Sequence, residues 1–216
     1  MTSQKNKICA EWIGTFLLIM TVVGSGIMGE NLSQGNSAVA LLANSIATGC
    51  SLYVLISALG PLSGAHFNPV VSIYFFLKKE LGLKDLFQFL GAQFSAGLCA
   101  VFVTHFIFEI PILQMSEKIR TGPAQWLSEM IATFGLLFTI VSFVRFQKNS
   151  VATGVALYIT AAYWFTSSTS FANPAVTLAR SFTNTFSGIS LDNAPAFVAA
   201  QLLGLGCFYF YDRWQS

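Results

Sequence analysis

Charged side chains are scarce in this sequence. Lysine, arginine, aspartate and glutamate together make up 9% of its 216 residues, whereas a soluble domain carries roughly a quarter. Hydrophobic residues make up 54%, 21 residues are phenylalanine, and the mean hydropathy is +0.65. This composition excludes an ordinary soluble domain and predicts an integral membrane protein.

Two further kinds of site are excluded by what is missing. The net charge of +2 leaves no basic surface for nucleic acid. The four cysteines, Cys9, Cys50, Cys99 and Cys207, lie inside apolar runs without the spacing of metal ligands. This favours buried thiols over a zinc site or a disulfide framework. We therefore expect neither a bound metal nor a cofactor.

Six apolar runs approach the roughly 20 residues needed to cross a bilayer. They lie at about Ile8–Met28, Ala38–Leu59, Leu86–Phe108, Ala124–Phe146, Val151–Phe165 and Ala194–Tyr211, and the fifth is short. Two more apolar segments, Asn68–Leu77 and Asn173–Phe182, are about half a span long. The sequence predicts an all-α membrane protein with six transmembrane helices and two half-length helices.

The basic residues predict the orientation in the membrane, because cytoplasmic loops carry most of them. Lys118, Arg120 and Arg180 fall on one predicted side and the other eight on the opposite side, which places both termini in the cytoplasm. The first apolar run contains Glu11 and belongs to an internal repeat, so we interpret it as a span rather than a cleaved signal peptide. Without a separate targeting segment, the expected location is a bacterial inner membrane.

The two halves of the chain, about residues 8–108 and 124–212, are related to each other. The matching segments are AEWIGTFLL (Ala10–Leu18) with SEMIATFGL (Ser128–Leu136), and FLGAQFSAG (Phe89–Gly97) with FVAAQLLGL (Phe197–Leu205). Three spans per half place the second half upside down in the membrane. We therefore predict one domain over residues 1–216, built as an inverted repeat with its site near the bilayer midplane.

Each half-length segment begins with Asn-Pro: Asn68-Pro69 in SGAHFNPVVS and Asn173-Pro174 in STSFANPAVT. Asparagine is a strong N-cap, and proline is favoured at the first helical position. Two half-helices that enter from opposite faces meet at the midplane with partly positive N-termini, which repel cations. The asparagine amides can donate hydrogen bonds to a neutral solute and interrupt a chain of water.

These motifs resemble those of the aquaporin and aquaglyceroporin family, the major intrinsic proteins, over essentially the whole chain. The resemblance implies a bundle of six spans and two re-entrant half-helices, one pore per subunit, and usually a homotetramer in the lipid bilayer. The half-helix caps that it implies are Asn68, Pro69, Val70, Asn173, Pro174 and Ala175. Val70 departs from the family's usual Asn-Pro-Ala.

The resemblance also implies a selectivity filter, whose positions follow from their spacing to the two asparagines. They are Thr48, Ala161, Ser170 and Val176. The family ordinarily has arginine at the last position, so valine there predicts a wider constriction without its fixed charge. Similar filters occur in the branch associated with arsenous acid. We expect a passive channel for polyols and metalloid hydroxides, with water; a water-selective aquaporin is the alternative.

Four other residues have competing interpretations. Glu11 and Glu129 either form a proton relay or accept hydrogen bonds from the irregular backbone ahead of each half-helix. Their equivalent positions in the repeat, and the resemblance to the family, favour the second interpretation. Arg180 either supplies charge at the outer mouth or pairs with loop groups at the end of its half-helix. His66 matches a family position that lines the cytoplasmic half of the pore, where it helps to bind solute or senses pH.

Two other classes of membrane protein fit the sequence less well. A secondary transporter also uses inverted repeats, but beyond Glu11, Glu129 and His105 the spans hold almost no ionisable groups for coupling. An intramembrane enzyme needs paired carboxylates, a metal cluster or a Ser/His arrangement at pore depth, and the sequence contains none. The prediction is therefore a channel and not an enzyme.

Overall fold

Eight α-helices account for most of residues 3–215, the part of the chain that this computed structural model describes. They are α1 (Gln4–Leu32), α2 (Ser37–Ser63), α3 (Pro69–Leu77), α4 (Leu83–Ile107), α5 (Pro123–Phe146), α6 (Val151–Phe165), α7 (Pro174–Arg180) and α8 (Ala194–Gln215). A 3₁₀ turn at Lys148–Ser150 joins α5 to α6. The order long, long, short, long occurs twice.

The predicted all-α membrane fold is confirmed. Helices α1, α2, α4, α5 and α8 are long and apolar enough to cross a membrane, while α6, the sixth predicted span, has 15 residues and is short for that role. The half-length helices α3 and α7 have 9 and 7 residues. Helix α7 ends at Arg180, two residues before the predicted end, because the backbone N–H of Ser181 bonds to Leu178 in a tighter 3₁₀ pattern.

The helices pack as two similar halves that share their short elements. In the first half α1 packs on α2 and α4, and in the second α5 packs on α6 and α8. Each half-helix contacts the last long helix of both halves: α3 lies on α4 and α8, and α7 lies on α8 and α4. The half-helices therefore enter the centre of the bundle from opposite ends and contact each other there.

Both ends of the described chain lie at the same face of the bundle. The side chain of Gln4 donates to Asp85 in the first turn of α4. Asp212, near the end of α8, accepts from Lys78, which directly follows α3, and from Arg145 in the last turn of α5. We call this the terminal face. The opposite face carries the loops at 108–122 and 181–193, and we call it the loop face.

The cysteines lie differently from the prediction. Cys9, Cys50 and Cys207 are exposed on the surface of the bundle, and Cys99 is half-buried. An apolar run indicates an apolar environment, and in a membrane protein lipid provides that environment as well as the core does. The prediction of buried thiols is therefore wrong at three of the four positions.

Helices α5 and α8 approach each other closely at Gly204. A Cβ atom added there would lie 2.4 Å from the carbonyl oxygen of Met130 and 3.0 Å from Cβ of Thr133. Because backbone cannot move aside as a flexible side chain can, we expect Gly204→Ala to lower the free energy of unfolding by about 1–3 kcal/mol. Thermal unfolding in detergent measures the change. Gly206→Ala is the matched control, since nothing lies within 4 Å of its added Cβ; equal melting temperatures would contradict the close approach.

Candidate functional site

The two half-helices begin against each other at the centre of the molecule. Asn68 caps α3, its Oδ1 accepting from the backbone N–H of Val70 at 3.0 Å, and its Nδ2 donates to the carbonyl oxygen of Ala172 at 2.8 Å. Asn173 caps α7, and its Nδ2 donates to the carbonyl oxygen of Phe67 at 2.8 Å. Each asparagine therefore caps its own helix and holds the residue that precedes the opposite asparagine.

The residues that follow each asparagine lie behind it. Pro69 and Pro174 are the first residues of α3 and α7, where the missing N–H costs nothing. Val70 and Ala175 are buried, and none of these four side chains lines the central cavity described below. The unusual Val70 therefore contacts the core and leaves the asparagine in place.

Left-handed backbone precedes both asparagines at equivalent positions of the repeat. The φ angles of Ala65 and Phe67 are 52° and 48°, and those of Ser170 and Ala172 are 50° and 47°. This conformation costs a residue other than glycine of the order of 1–3 kcal/mol and persists only where the surroundings hold it. Two buried carboxylates provide that support.

Glu11 holds the backbone ahead of α3. Its Oε1 accepts from the backbone N–H of His66 at 2.9 Å and from Oγ of Ser63 at 2.7 Å. Its Oε2 accepts from the backbone N–H of Phe67 at 2.8 Å and from Nε2 of Gln93 at 2.9 Å. All four hydrogen bonds are to a carboxylate with no exposed surface.

Glu129 repeats this arrangement ahead of α7. Its Oε1 accepts from the backbone N–H of Phe171 at 2.8 Å and from Oγ of Ser168 at 2.6 Å. Its Oε2 accepts from the backbone N–H of Ala172 at 2.9 Å and from Nε2 of Gln201 at 2.6 Å. Of the two interpretations of these carboxylates, the geometry matches hydrogen-bond acceptors for irregular backbone.

A cavity of about 120 Å³ runs beside the two asparagines. Its polar lining residues are Thr48, His66, Asn68, Tyr163, Ser170, Asn173 and Arg180. The opposite wall is apolar and includes Leu18, Leu52, Leu136, Val155 and Ile159. Aspartate, glutamate and lysine are absent from the lining in the described part of the chain. The cavity is thus amphipathic, with a polar stripe facing an aliphatic wall.

The cavity continues towards the terminal face. A second cavity, of about 720 Å³, shares six lining residues with the first, among them His66 and Phe75. The rings of these two residues are stacked with their centroids 4.9 Å apart. The second cavity is also lined by Lys7, Glu80 and Lys148. His66 therefore lies at the neck between the molecular centre and the terminal face.

The other end of the central cavity contains most of the predicted filter. Thr48, Ser170 and Val176 line it. Ala161 does not: it is exposed on the outer surface of α6, whereas Ile159 and Tyr163, on either side of it, are lining residues. Residues four apart share a helix face, and the residue midway between them faces away. The assignment of Ala161 is therefore corrected, and Tyr163 takes its place in the lining.

Tyr163 and Ser170 bring hydroxyl groups to this end of the cavity. The hydroxyl oxygen of Tyr163 lies 3.2 Å from Oγ1 of Thr48, which itself donates to the carbonyl oxygen of Asn44. Oγ of Ser170 is buried and has no hydrogen-bond partner among residues 3–215. Tyr163 is not found by counting residues back from Asn173, whereas the 3.6-residue periodicity of α6 identifies it.

Arg180 brings a positive charge to the same end. It lies one helical turn after Val176 and lines the cavity, although only 2% of it is exposed. Its Nε donates to the carbonyl oxygen of Ser187 in the following loop, and its guanidinium carbon lies 3.4 Å from the ring centroid of Phe171. Both interpretations of Arg180 thus describe part of its environment: its charge lies at the end of the cavity that contains Val176, while the filter position itself carries an uncharged side chain.

The family of the chain follows from comparison with known proteins. Residues 1–159 match the Major intrinsic protein family. The chain belongs to this family. Aquaglyceroporin AqpS of Rhizobium meliloti (strain 1021) is 55% identical over 208 residues, which are 96% of this chain and 89% of that protein. Aquaporin NIP2-1 of Oryza sativa subsp. japonica is 32% identical over 193 residues, 85% of this chain and 63% of that protein.

The fold of this major intrinsic protein matches a solved structure as well. The X-ray structure of the aquaglyceroporin from Plasmodium falciparum superposes with a TM-score of 0.76 and 19% identity, over 97% of this chain and 95% of the other. Members of the family are channels and not enzymes, so the protein is a multi-pass membrane channel for small solutes. The central cavity is the candidate passage for them.

A second guanidinium of the channel lies behind the first. Nε of Arg120 donates to the carbonyl oxygen of Gly188 at 2.8 Å and Nη1 to that of Ser168 at 3.3 Å; its guanidinium carbon is 5.2 Å from the Phe171 centroid. Burial lowers the pKa of Arg120 to about 10, so it stays protonated near neutral pH. No motif identifies this residue, because the loop at 108–122 brings it to the site.

Proposed function

We propose that the channel passes uncharged, hydroxyl-bearing solutes: polyols such as glycerol and trivalent metalloid hydroxides such as arsenous acid, together with water. The observation that carries the proposal is the presence of Val176 in the lining, at the position where the family ordinarily has arginine. Thr48, Tyr163 and Ser170, which carry hydroxyl groups, line the same cavity. They replace hydrogen bonds that the solute loses when it leaves water.

The shape of the cavity supports the same solute class. A polyol has a hydroxyl face and a carbon face, and the cavity has a polar stripe opposite an aliphatic wall. At the centre, Nδ2 of each asparagine uses one N–H for the opposite backbone, which leaves the second for a passing oxygen. The partly positive starts of the half-helices disfavour cations there.

Two side chains favour a water-selective channel as the second candidate. Tyr163 places an aromatic ring near Thr48, and Arg180 returns a guanidinium to the end of the cavity that contains Val176. An aromatic ring and a cation narrow a passage and prefer water to larger solutes. The two candidates differ in the size of solute that they admit.

Stopped-flow light scattering on proteoliposomes distinguishes the candidates. We expect glycerol and arsenous acid to enter proteoliposomes faster than they enter empty liposomes. We expect pH or sodium gradients to leave the rate of solute entry unchanged. Faster movement of water alone would select the water channel. If none of the three solutes moves faster than in empty liposomes, both candidates are rejected.

We also propose that the protein is a homotetramer in an inner membrane with both termini in the cytoplasm. The orientation is supported by the basic residues near the terminal face: Lys5, Lys7, Lys78, Lys79, Lys84, Arg145, Lys148 and Arg213. Cytoplasmic loops carry such an excess. The loop face, with Arg180, then faces outwards.

A further inference from the structure

We propose that the end of the central cavity at Arg180 binds small monovalent oxyanions, and that a bound anion blocks the passage of solute. We call the group formed by Arg180, Ser170 and Phe171 the anion site. The inference rests on the proposed function, because the block is observed as a loss of solute flux. It adds a ligand class that the neutral-solute channel does not require.

The guanidinium of Arg180 is held in place with most of its donors unused. Nε is bonded to the carbonyl oxygen of Ser187, and the guanidinium lies against the ring of Phe171. Within residues 3–215, the terminal Nη1 and Nη2 groups make no hydrogen bond, and Arg180 lines the cavity. Parallel N–H groups of a guanidinium match two oxygens of a planar oxyanion, so the free side of Arg180 presents this pattern.

No carboxylate directly contacts the positive charge at this end among the described residues. Among the described residues, no aspartate or glutamate oxygen lies within 4.0 Å of the side-chain nitrogens of Arg180 or Arg120. The salt bridges Lys78–Asp212 and Arg145–Asp212 lie at the opposite, terminal face. Glu129 lies nearby, but its oxygens accept the four hydrogen bonds described above. One carboxylate, Glu129, thus faces two buried guanidiniums, those of Arg180 and Arg120, so positive charge is in excess at this end. A bound anion reduces the cost of that buried excess charge.

Ser170 provides an independent indication of a ligand. Ser170 is a residue of the cavity lining and only 4% of it is exposed, and its buried Oγ has no hydrogen-bond partner among the described residues. Buried hydroxyls in proteins are nearly always bonded, so this oxygen is available to a ligand. A hydroxyl beside a guanidinium completes a small oxyanion site. The cavity of about 120 Å³ limits the ligand to ions of few atoms.

The bound anion stays at this end rather than crossing the channel. Beyond Arg180, the lining offers the neutral amides of Asn68 and Asn173 and an aliphatic wall. An anion that moves inwards exchanges a charged donor for neutral ones in surroundings of low polarity, which is unfavourable. The anion therefore occupies the mouth of the passage and competes with solute for it.

Nitrate is the test ligand, because it is planar, small and monovalent, and the test uses the full-length protein in proteoliposomes. Glycerol flux is measured in sodium nitrate and in sodium gluconate of equal ionic strength, with the same salt on both sides so that either protein orientation is exposed. We expect about 0.1 M nitrate to lower glycerol flux roughly twofold or more, saturably, and high glycerol concentration to restore it. No difference between the salts, or inhibition that glycerol does not relieve, overturns the proposal.

Three variants assign the block to the anion site. Arg180→Gln is expected to lose the nitrate effect, and Arg180→Lys, which keeps the charge without paired N–H groups, to retain only part of it. Lys118→Gln is the matched control: Lys118 is an exposed cation on the loop face, bonded to the carbonyl oxygen of Phe186 and outside the cavity lining. The proposal is overturned if nitrate inhibits glycerol flux through Arg180→Gln as strongly as through the wild type. It is also overturned if Lys118→Gln loses nitrate inhibition to the same extent as Arg180→Gln.

The gluconate arm separates this inference from the proposed function. If the wild-type protein in gluconate passes glycerol no faster than empty liposomes do, the proposed function is rejected. The nitrate comparison is then made on water flux, so the anion site is tested in either case. If Arg180→Gln does not fold, the competition between nitrate and glycerol in the wild type decides.

Discussion

Replacing Val176 by arginine is expected to lower glycerol permeability about tenfold or more, which corresponds to an added barrier of at least about 1.4 kcal/mol. Val176 lines the cavity one turn before Arg180, so the new side chain fills the passage on the same helix face. It also adds a second cation: two unit charges about 6 Å apart repel by roughly 3 kcal/mol at an effective dielectric constant of 20. Water, which is smaller, is expected to lose less permeability.

Stopped-flow light scattering in proteoliposomes measures this change for water, glycerol and arsenous acid. Val176→Met is the control variant, because methionine lengthens the side chain without adding charge or donors. We expect the glycerol permeability of Val176→Met to lie between those of the wild type and Val176→Arg. If Val176→Arg passes glycerol at the wild-type rate, Val176 does not lie at the constriction and the solute class must be set elsewhere.

Replacing Glu129 by alanine is expected to lower the free energy of unfolding by about 4 kcal/mol or more, because each buried donor left without an acceptor costs about 1–3 kcal/mol. Four donors lose their acceptor: Oγ of Ser168, the backbone N–H groups of Phe171 and Ala172, and Nε2 of Gln201. The left-handed backbone ahead of α7 then loses its support. The corresponding fall in melting temperature is roughly 10 °C.

The fraction of protein that stays monodisperse in detergent after heating measures this loss. Glu11→Ala is expected to behave like Glu129→Ala, because Glu11 accepts the equivalent four hydrogen bonds. Glu117→Ala is the control, since Glu117 is exposed in the loop at 108–122. A wild-type melting curve for Glu129→Ala would show that the carboxylate does not hold this backbone and would reopen the proton-relay interpretation.

The helices and the centre of the site could be predicted because local rules determine them. Apolar length predicts a span, and an asparagine followed by proline predicts the first residue of a helix. Asn68 and Asn173 meet the second condition, and α3 and α7 begin at the prolines that follow them. The repeat relation then brings Glu11 and Glu129 to equivalent positions ahead of these helices.

The end of the central cavity at Arg180 could not be predicted in the same way, because it depends on the conformation of loops. The assignment of Ala161 assumed a fixed number of residues between α6 and Asn173, whereas the chain places Tyr163 in the lining. Arg180 follows Val176 on one helix, but its stacking on Phe171 depends on left-handed backbone at Ser170. Arg120 arrives from a loop between the two halves.

The crossed hydrogen bonds at the centre determine when the passage can form. Asn68 bonds to a residue 104 positions later, and Asn173 to one 106 positions earlier. Contacts between such distant residues close late in folding, because the intervening chain must first be ordered. The centre of the passage therefore forms only when both halves of the chain are present, since each half supplies the acceptor for the other half's asparagine.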